Sequence, residues 1–514
     1  MTDMKPLSPS EPAAPIPRLY LSAAHKSSGK TTVTVGLCAA LRARGVHVRP
    51  FKKGPDYIDP LWLALAAGRA CHNLDFHTMN RAEIREVFLR ESARSSAIPG
   101  DVIRGDAGGG VSLIEGNKGL YDGLDLEGSN SNAALAQLLD APVVLVIDTR
   151  GMTRGIAPLL LGYMGFEPKV GIAGVLLNHV GGARHEGKLR AVIEHYTNLP
   201  VLGAIPHDTA LQVPERHLGL VPGNEFGDPE GFIARAAGTM AEHVALDRLL
   251  AIARAAPPLP GEPPTAPPTD PLPPRVVAGR EAGEPEPSDE DPAPTVTLAI
   301  ARDSAFGFYY PGDLTALGRA GAELVFFDTL SDAALPPADA LFIGGGFPEV
   351  HMAALEANVA LRRSIRAALA GGMPAYAECG GLMYLTRGIA WRGARREMVG
   401  AIPAETTMHP RPQGKGYVLL RETGDAPWGL SGPEGEPAEI PAHEFHHASV
   451  APSAGDEGLR FAYEVLRGHG IDGRRDGIVH GNLLAGFSHL RDVAGNPWAA
   501  RFVGYIRRVM GRAP

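Results

Sequence analysis

The segment LYLSAAHKSSGKTTVTVGLCAALRARG (19–45) constrains the fold more than any other part of the chain. An apolar run at 19–24 enters a short loop of Gly, Lys, Ser and Thr. An apolar stretch of helical pattern follows (31–45), ending in arginines and Gly45. A buried strand feeding a helix N-terminus is the opening unit of a parallel α/β sheet. Further β-branched runs at 111–116, 142–148 and 170–178 alternate with helical patterns and predict more strands of that sheet.

The α/β text is interrupted once. Residues 257–294 hold 14 of the 46 prolines and no periodic apolar pattern, which predicts a semi-extended linker. Strand-like runs restart at 295–303, 322–328, 339–346 and 374–381, and a helix is expected near 497–511. The predicted organisation is a disordered tail (1–18), a first catalytic domain (19–256), the linker (257–294) and a second α/β domain (295–514). With 44% hydrophobic and 21% charged residues the chain is globular. A net charge of -8 argues against a nucleic-acid binder. No apolar run is long enough for a signal peptide or a membrane span, and three scattered cysteines build no disulfide framework, so a reducing cytoplasm is expected.

The loop AHKSSGKTT (24–32) follows the phosphate-loop pattern G-x-x-x-x-G-K-[ST], with Ala24 in place of the first glycine. Gly29 lets the backbone approach a phosphate, and the helix N-terminus faces the anion. Lys30 reaches the terminal phosphates and Thr31 holds Mg²⁺, with Ser28 and Thr32 completing the nucleotide loop. A lysine in the first helical turn opposes the helix dipole, so it is a poor structural choice without an anion. Lys26 reads as a solvated loop residue, and His25 stands where a deviant loop lysine would. A divalent cation needs a carboxylate. Strand-end candidates are Glu115, Asp122 and Asp148, although an acid after a strand more often caps a loop. The dense polar loop PFKKGPDYIDP (50–60), with Lys52 and Lys53 adjacent, reads as a mouth for an anionic substrate or as a charged surface turn.

In the second half, AECGG (377–381) joins a strand to a helical run and resembles a nucleophile elbow. Cys38 and Cys71 read as buried hydrophobes, whereas Cys379 sits among glycines beside a helix N-terminus, where a thiolate is favoured. A base is required. His489 in GFSHLR is the first candidate, and His443, His446 and His447 in HEFHH are rivals or packing residues. The turn GGGFPE (344–349) offers backbone N–H groups for an oxyanion hole at Gly345, Gly346 and Gly380.

The motifs SSGKTT, PFKKGPDYIDP, NLD (73–75), EGNKGLYDG (115–123), DSAFGFYYP (303–311), GGGFPE, AECGGLMYL and HEFHH together resemble the cobyrinic acid a,c-diamide synthase family over about residues 19–510. The resemblance implies a P-loop, dethiobiotin-synthetase-like parallel-sheet domain followed by a flavodoxin-like class I glutamine amidotransferase domain. It implies that glutamine is hydrolysed at Cys379 with His489 as base. ATP and Mg²⁺ then activate the a and c acetates of cobyrinic or hydrogenobyrinic acid as acyl phosphates, which ammonia converts to amides. Carried over by motif, Lys30 and Thr31 serve ATP and Mg²⁺. Lys53, Asp56, Tyr57 and Asp59 bind the acid. Glu115 ligates the metal and Asp122 acts at the activated carboxylate. Homodimerisation is left open.

Three alternatives stay open at this level. One is amidation of a sirohydrochlorin or sirohaem-type ring. Another is a partition-type switch ATPase. The third is an inactive glutaminase half, suggested because Arg491 occupies the place of the carboxylate in the common H-x-E pattern.

Overall fold

The computed structural model describes residues 16–93, 110–216, 219–259, 296–432, 435–453 and 458–511. Most of the expected tail (1–15) and of the proline-rich linker (260–294) lies outside them. The chain divides into two compact units. The first comprises Met1–Leu74, Arg81–Gly223 and Gly227–Pro268, and the second Asp75–Asn80, Asn224–Phe226 and Thr269–Pro514.

The first unit is built on seven strands: β1 (Arg18–Ala23), β2 (Val48–Lys53), β3 (His72–Leu74), β4 (Val111–Glu115), β5 (Val143–Asp148), β6 (Ile172–Val180) and β7 (Val201–Pro206). Their order is β3-β2-β4-β1-β5-β6-β7, with every pair parallel. β1 and β4 are buried along their whole length, so they read as continuous apolar runs rather than alternating ones. Helix α1 (Lys30–Ala43) starts at Gly29 and closes on Gly45 at φ 78°, a left-handed C-terminal stop. Helix α2 (Ile58–Ala67) follows the polar loop after β2. After β3 the chain returns inward to β4, and then passes to the far side of β1 as β5. This reversal beside β1 is where ligands collect in open α/β sheets.

The second unit has a nine-stranded sheet. Its parallel part runs in the order Ala322–Phe327, Val296–Ala301, Ala340–Ile343, Ala375–Glu378, Leu483–Gly486. This is the 2-1-3-4-5 order of flavodoxin-like folds. Four antiparallel strands (Arg475–His480, Arg460–Arg467, Gly414–Glu422, Glu439–His446) extend one edge. Successive residues face opposite sides of the sheet. Leu341 and Ile343 therefore join one apolar cluster with Leu385 and Phe487. Ala340 and Phe342 join another with Tyr376, Trp498 and Phe502, the last two from the helix Trp498–Val509. No helix among the described residues is long and apolar enough to cross a membrane.

Candidate active sites

In the first unit, Gly29 adopts φ 79°, and a Cβ there would lie 2.3 Å from Asn178 Nδ2. Only glycine fits. Asn178, at the end of β6, donates to Ser28 O at 2.9 Å, and Ser28 Oγ donates to His25 O at 2.8 Å. Ala24 is not among the positive-φ residues, so the missing Walker glycine is not needed for backbone geometry. Thr32 Oγ1 donates to Leu211 O at 3.3 Å. Lys30 is buried and its Nζ donates to Lys118 O at 2.8 Å. Burial and the Lys52 charge push its amine down to about 8, against the pull of Glu115, Asp59 and Asp122.

A buried charge cluster lies beside this loop. Lys52 Nζ donates to Glu115 Oε1 at 2.6 Å and to Asp59 Oδ2, and lies 3.7 Å from Asp56 Oδ2. Thr31 Oγ1 is 3.1 Å from Glu115 Oε1 and 3.2 Å from Asp59 Oδ2. Asp56 accepts the Asp59 N–H at 3.1 Å, fixing the start of α2. Burial and then Asp59 raise the Asp56 carboxyl to about 7, against Lys52. Burial likewise raises Glu115, whereas at Asp59 the adjacent Lys52 ammonium overcomes burial and holds the carboxyl down. Tyr57 is buried at the cap of α2.

Thr31, Asp59 and Glu115 present an all-oxygen donor set, and Glu115 Oε2 is buried without a hydrogen-bond partner. That set fits a hard divalent cation. Among the described residues there is no cage of three or more His, Cys, Asp or Glu side chains that could hold a metal ion by itself. Asp122 lies outside the cluster. It is exposed and accepts the Gly119 N–H at 2.9 Å. Asp148 is paired with Arg150 at 2.6 Å and caps its own loop.

The second constellation belongs to the second unit. Cys379 has φ 49° and ψ -102° at the head of the helix Gly380–Leu385, a strained elbow between strand and helix. Its N–H donates to Gly486 O at 2.8 Å, and the Gly381 N–H to Gly344 O at 3.1 Å. A Cβ on Gly380 would lie 2.9 Å from Gly346 N, so these two backbones run side by side; one on Gly345 would lie 2.6 Å from His489 Cε1. The three expected oxyanion-hole glycines therefore surround the elbow. His489 is buried and hydrogen-bonded to Cys379, with Nδ1 3.4 Å from Glu378 Oε2. Burial opposes its charging, but hydrogen bonds to Cys379 and Glu378 and their charges outweigh that and raise the imidazole to about 10.

The rival histidines take other roles. His443 stacks on His489 at 4.9 Å, and its Nδ1 lies 3.3 Å from Tyr310 Oη. Burial and the His489 charge hold it well below the usual imidazole range. His446 stacks on Phe487 at 3.8 Å with Nδ1 2.8 Å from Ala448 O, and His447 Nδ1 lies 3.1 Å from His409 O. His446 Nε2 also lies 3.4 Å from Glu444 Oε2, so these two serve packing and hydrogen bonding around the strand. Arg491 lies 4.8 Å over the Tyr310 ring.

The sequence pattern does not single out Lys52, Asn73 or Glu378. Of the lysine pair, Lys53 reaches Asn117 Oδ1 at 3.3 Å, and its neighbour Lys52 enters the acidic cluster. Register is the signal: Lys52 pairs with Glu115 across β2 and β4. Asn73, within the NLD motif, donates to Gly54 O and Asp56 O at 2.8 Å each and so shapes the polar loop. Replacing Lys52 with Met leaves buried carboxylates unpaired and should cost about 3–5 kcal/mol of stability. Adding Glu115→Gln should recover part of it. Urea unfolding of both variants measures this, and a Lys52→Met protein as stable as the parent would contradict it.

Residues 23–221 match the CobQ/CobB/MinD/ParA nucleotide binding domain, and residues 297–495 the CobB/CobQ-like glutamine amidotransferase domain. A Magnetococcus marinus protein named cobyrinate a,c-diamide synthase is 46% identical over 498 residues, covering 96% of this chain and 98% of that one. Proteins of the same name from Methanosarcina acetivorans (41% identical, 94% of each chain) and Archaeoglobus fulgidus (38% identical, 95% and 97%) match at similar length. Since these matches run through both catalytic units nearly end to end, the chain belongs to the cobyrinate a,c-diamide synthase family.

Proposed function

We propose that this protein is a glutamine-dependent ligase that amidates the a and c acetates of cobyrinate, with ATP as cosubstrate. The observation that carries the reading is the pairing, in a single chain of that family, of a Gly29–Lys30–Thr31 phosphate loop with a strained Cys379 elbow hydrogen-bonded to His489. A switch ATPase accounts for the first and not the second.

In the glutaminase half, the Cys379 thiolate attacks the glutamine carboxamide carbon. Charge develops on the carbonyl oxygen beside the backbones of Gly345, Gly346 and Gly380. His489 gives its proton to the departing nitrogen and ammonia leaves; His489 then takes a proton from the attacking water, whose oxygen adds to the thioester carbon, releasing glutamate and regenerating the thiolate. In the ligase half, Lys30 and the N-terminus of α1 hold the nucleotide phosphates. Lys53, Asp56, Tyr57 and Asp59 shape the acid-binding mouth. A substrate carboxylate oxygen attacks the γ-phosphorus and ADP leaves. Ammonia then attacks the acyl carbon, phosphate departs and the nitrogen loses a proton, with Asp122 near the activated carboxylate. Thr31, Asp59 and Glu115 would hold Mg²⁺, which supplies charge neutralisation at the phosphates. The net charge of -8 speaks against a nucleic-acid partner, and homodimerisation stays open. Free Cys38, Cys71 and Cys379 support a reducing compartment and so a cytoplasmic enzyme.

Two measurements test this. With ATP, Mg²⁺ and glutamine, cobyrinate should change mass in two successive steps, each the difference between a carboxylic acid and its carboxamide. Cys379→Ser should lose this with glutamine and keep it with ammonia. Product from sirohydrochlorin alone would sink the assignment. The second concerns pH. A phosphate beside Lys30 keeps its ammonium charged, so the bound amine titrates above the free value of about 8. Affinity for ATP should therefore fall as pH rises past that value, and binding at about pH 9 should take up a proton. Calorimetry in buffers of different ionisation enthalpy reads the uptake. Lys30→Arg, which stays charged, should show none, and equal uptake in both proteins would exclude Lys30 as the phosphate cation.

A further inference from the structure

We infer that Glu378 is the positioning residue of the glutaminase site, holding His489 from the side opposite Cys379. The inference rests on Cys379 being the nucleophile. A catalytic imidazole needs an orienting acceptor behind it, and the residue two places after His489 is Arg491, a cation lying over Tyr310. Glu378 fills that role from the other side of the ring. Its Oε2 lies 3.4 Å from His489 Nδ1, and both side chains are about 4% exposed or less. That separation is long for a hydrogen bond, as catalytic contacts often are before substrate binds.

The carboxylate is fixed independently of the imidazole. Its Oε1 accepts the Tyr376 hydroxyl at 2.5 Å and the Leu490 N–H at 2.9 Å. Leu490 directly follows His489, so carboxylate and ring are tied to one turn. With Nδ1 facing Glu378, Nε2 is the ring nitrogen left for Cys379. The backbone explains how consecutive residues flank one ring. Glu378 ends an extended strand, and the Cys379 torsions, φ 49° and ψ -102°, reverse the chain immediately after it. A purely structural glutamate would need only the Tyr376 and Leu490 contacts, which a neutral amide oxygen can also accept. A negative charge matters only toward His489.

The test uses the full-length protein and the isosteric Glu378→Gln. Glutamine hydrolysis should lose about 10²- to 10⁴-fold in kcat with little change in KM, while ammonia-driven amidation stays at the parent level. Chloroacetamide alkylation of Cys379 should shift to higher pH, because the thiolate loses its oriented imidazolium. Glu378→Asp should restore part of both. Parent-level hydrolysis and an unmoved alkylation profile in Glu378→Gln, alongside an inactive Cys379→Ser, would overturn the inference. Hydrolysis surviving in Cys379→Ser would instead remove the nucleophile assignment beneath it. If Glu378→Gln also loses ammonia-driven activity, Tyr376→Phe decides, since it removes one hydroxyl from Oε1. The same direction of alkylation shift supports the inference, and an unmoved profile overturns it.

Discussion

A lysine side chain 2% exposed cannot stand alone in a protein interior. Lys52 at the end of β2 therefore requires acids around it, and the first unit supplies them from separate elements: Glu115 from the end of β4, Asp59 from α2 and Asp56 from the loop before it. The pairing joins β2 to β4 at the carboxyl edge of the sheet and draws the start of α2 against the head of α1, where Thr31 reaches the same two carboxylates. Two lysines among three carboxylates leave the site with a spare negative charge. Burial and mutual repulsion put that stress on Asp56, raised to about 7. A divalent cation bound there would relieve that stress.

The second unit meets a different constraint with the same sheet geometry. The Cys379 torsions cost free energy for a residue with a Cβ, and the surroundings must hold them. The Cys379 N–H is fixed on Gly486 O, and the Gly381 N–H on Gly344 O. Gly486 ends one neighbouring strand of the parallel sheet, and Gly344 directly follows the other. Beyond Gly486, buried Asp476 accepts the N–H groups of Phe487 at 3.0 Å and Ser488 at 2.8 Å, which aims the chain so that His489 arrives opposite the thiol. The base is thus placed by a carboxylate that touches neither reacting atom.

Much of this was legible before the fold was known. The runs at 19–24, 111–116 and 142–148 became strands because buried parallel strands are apolar throughout; 322–328 became a part-exposed edge strand, and 374–381 a strand only as far as Glu378. The glycine-led helix at Lys30 and the elbow at Cys379 follow from local backbone chemistry. What escaped depends on register. Which of Lys52 and Lys53 enters the acid cluster is decided by the pairing of Lys52 with Glu115, and no composition of the loop fixes that. The antiparallel edge strands between 414 and 480 carry mixed polar text, and their faces are set by neighbours distant in sequence. Ala24 misled in the other direction. The pattern asks for glycine, but the strained positions of this loop are Ser27 at φ 60° and Gly29 at φ 79°.

The H-x-E pattern failed for an instructive reason. It encodes a solution in which the orienting carboxylate follows the histidine along the chain, whereas the physical requirement is only a buried acceptor near Nδ1. Here that acceptor precedes the nucleophile. The acceptor ends one strand, Ala375–Glu378, and Cys379 follows it directly; that strand is paired in register with Leu483–Gly486, from which the chain continues to His489. Four backbone pairs between two neighbouring parallel strands set all three groups. Position 491 can therefore hold an arginine that stacks on Tyr310, because the charge that steadies the imidazole does not depend on it.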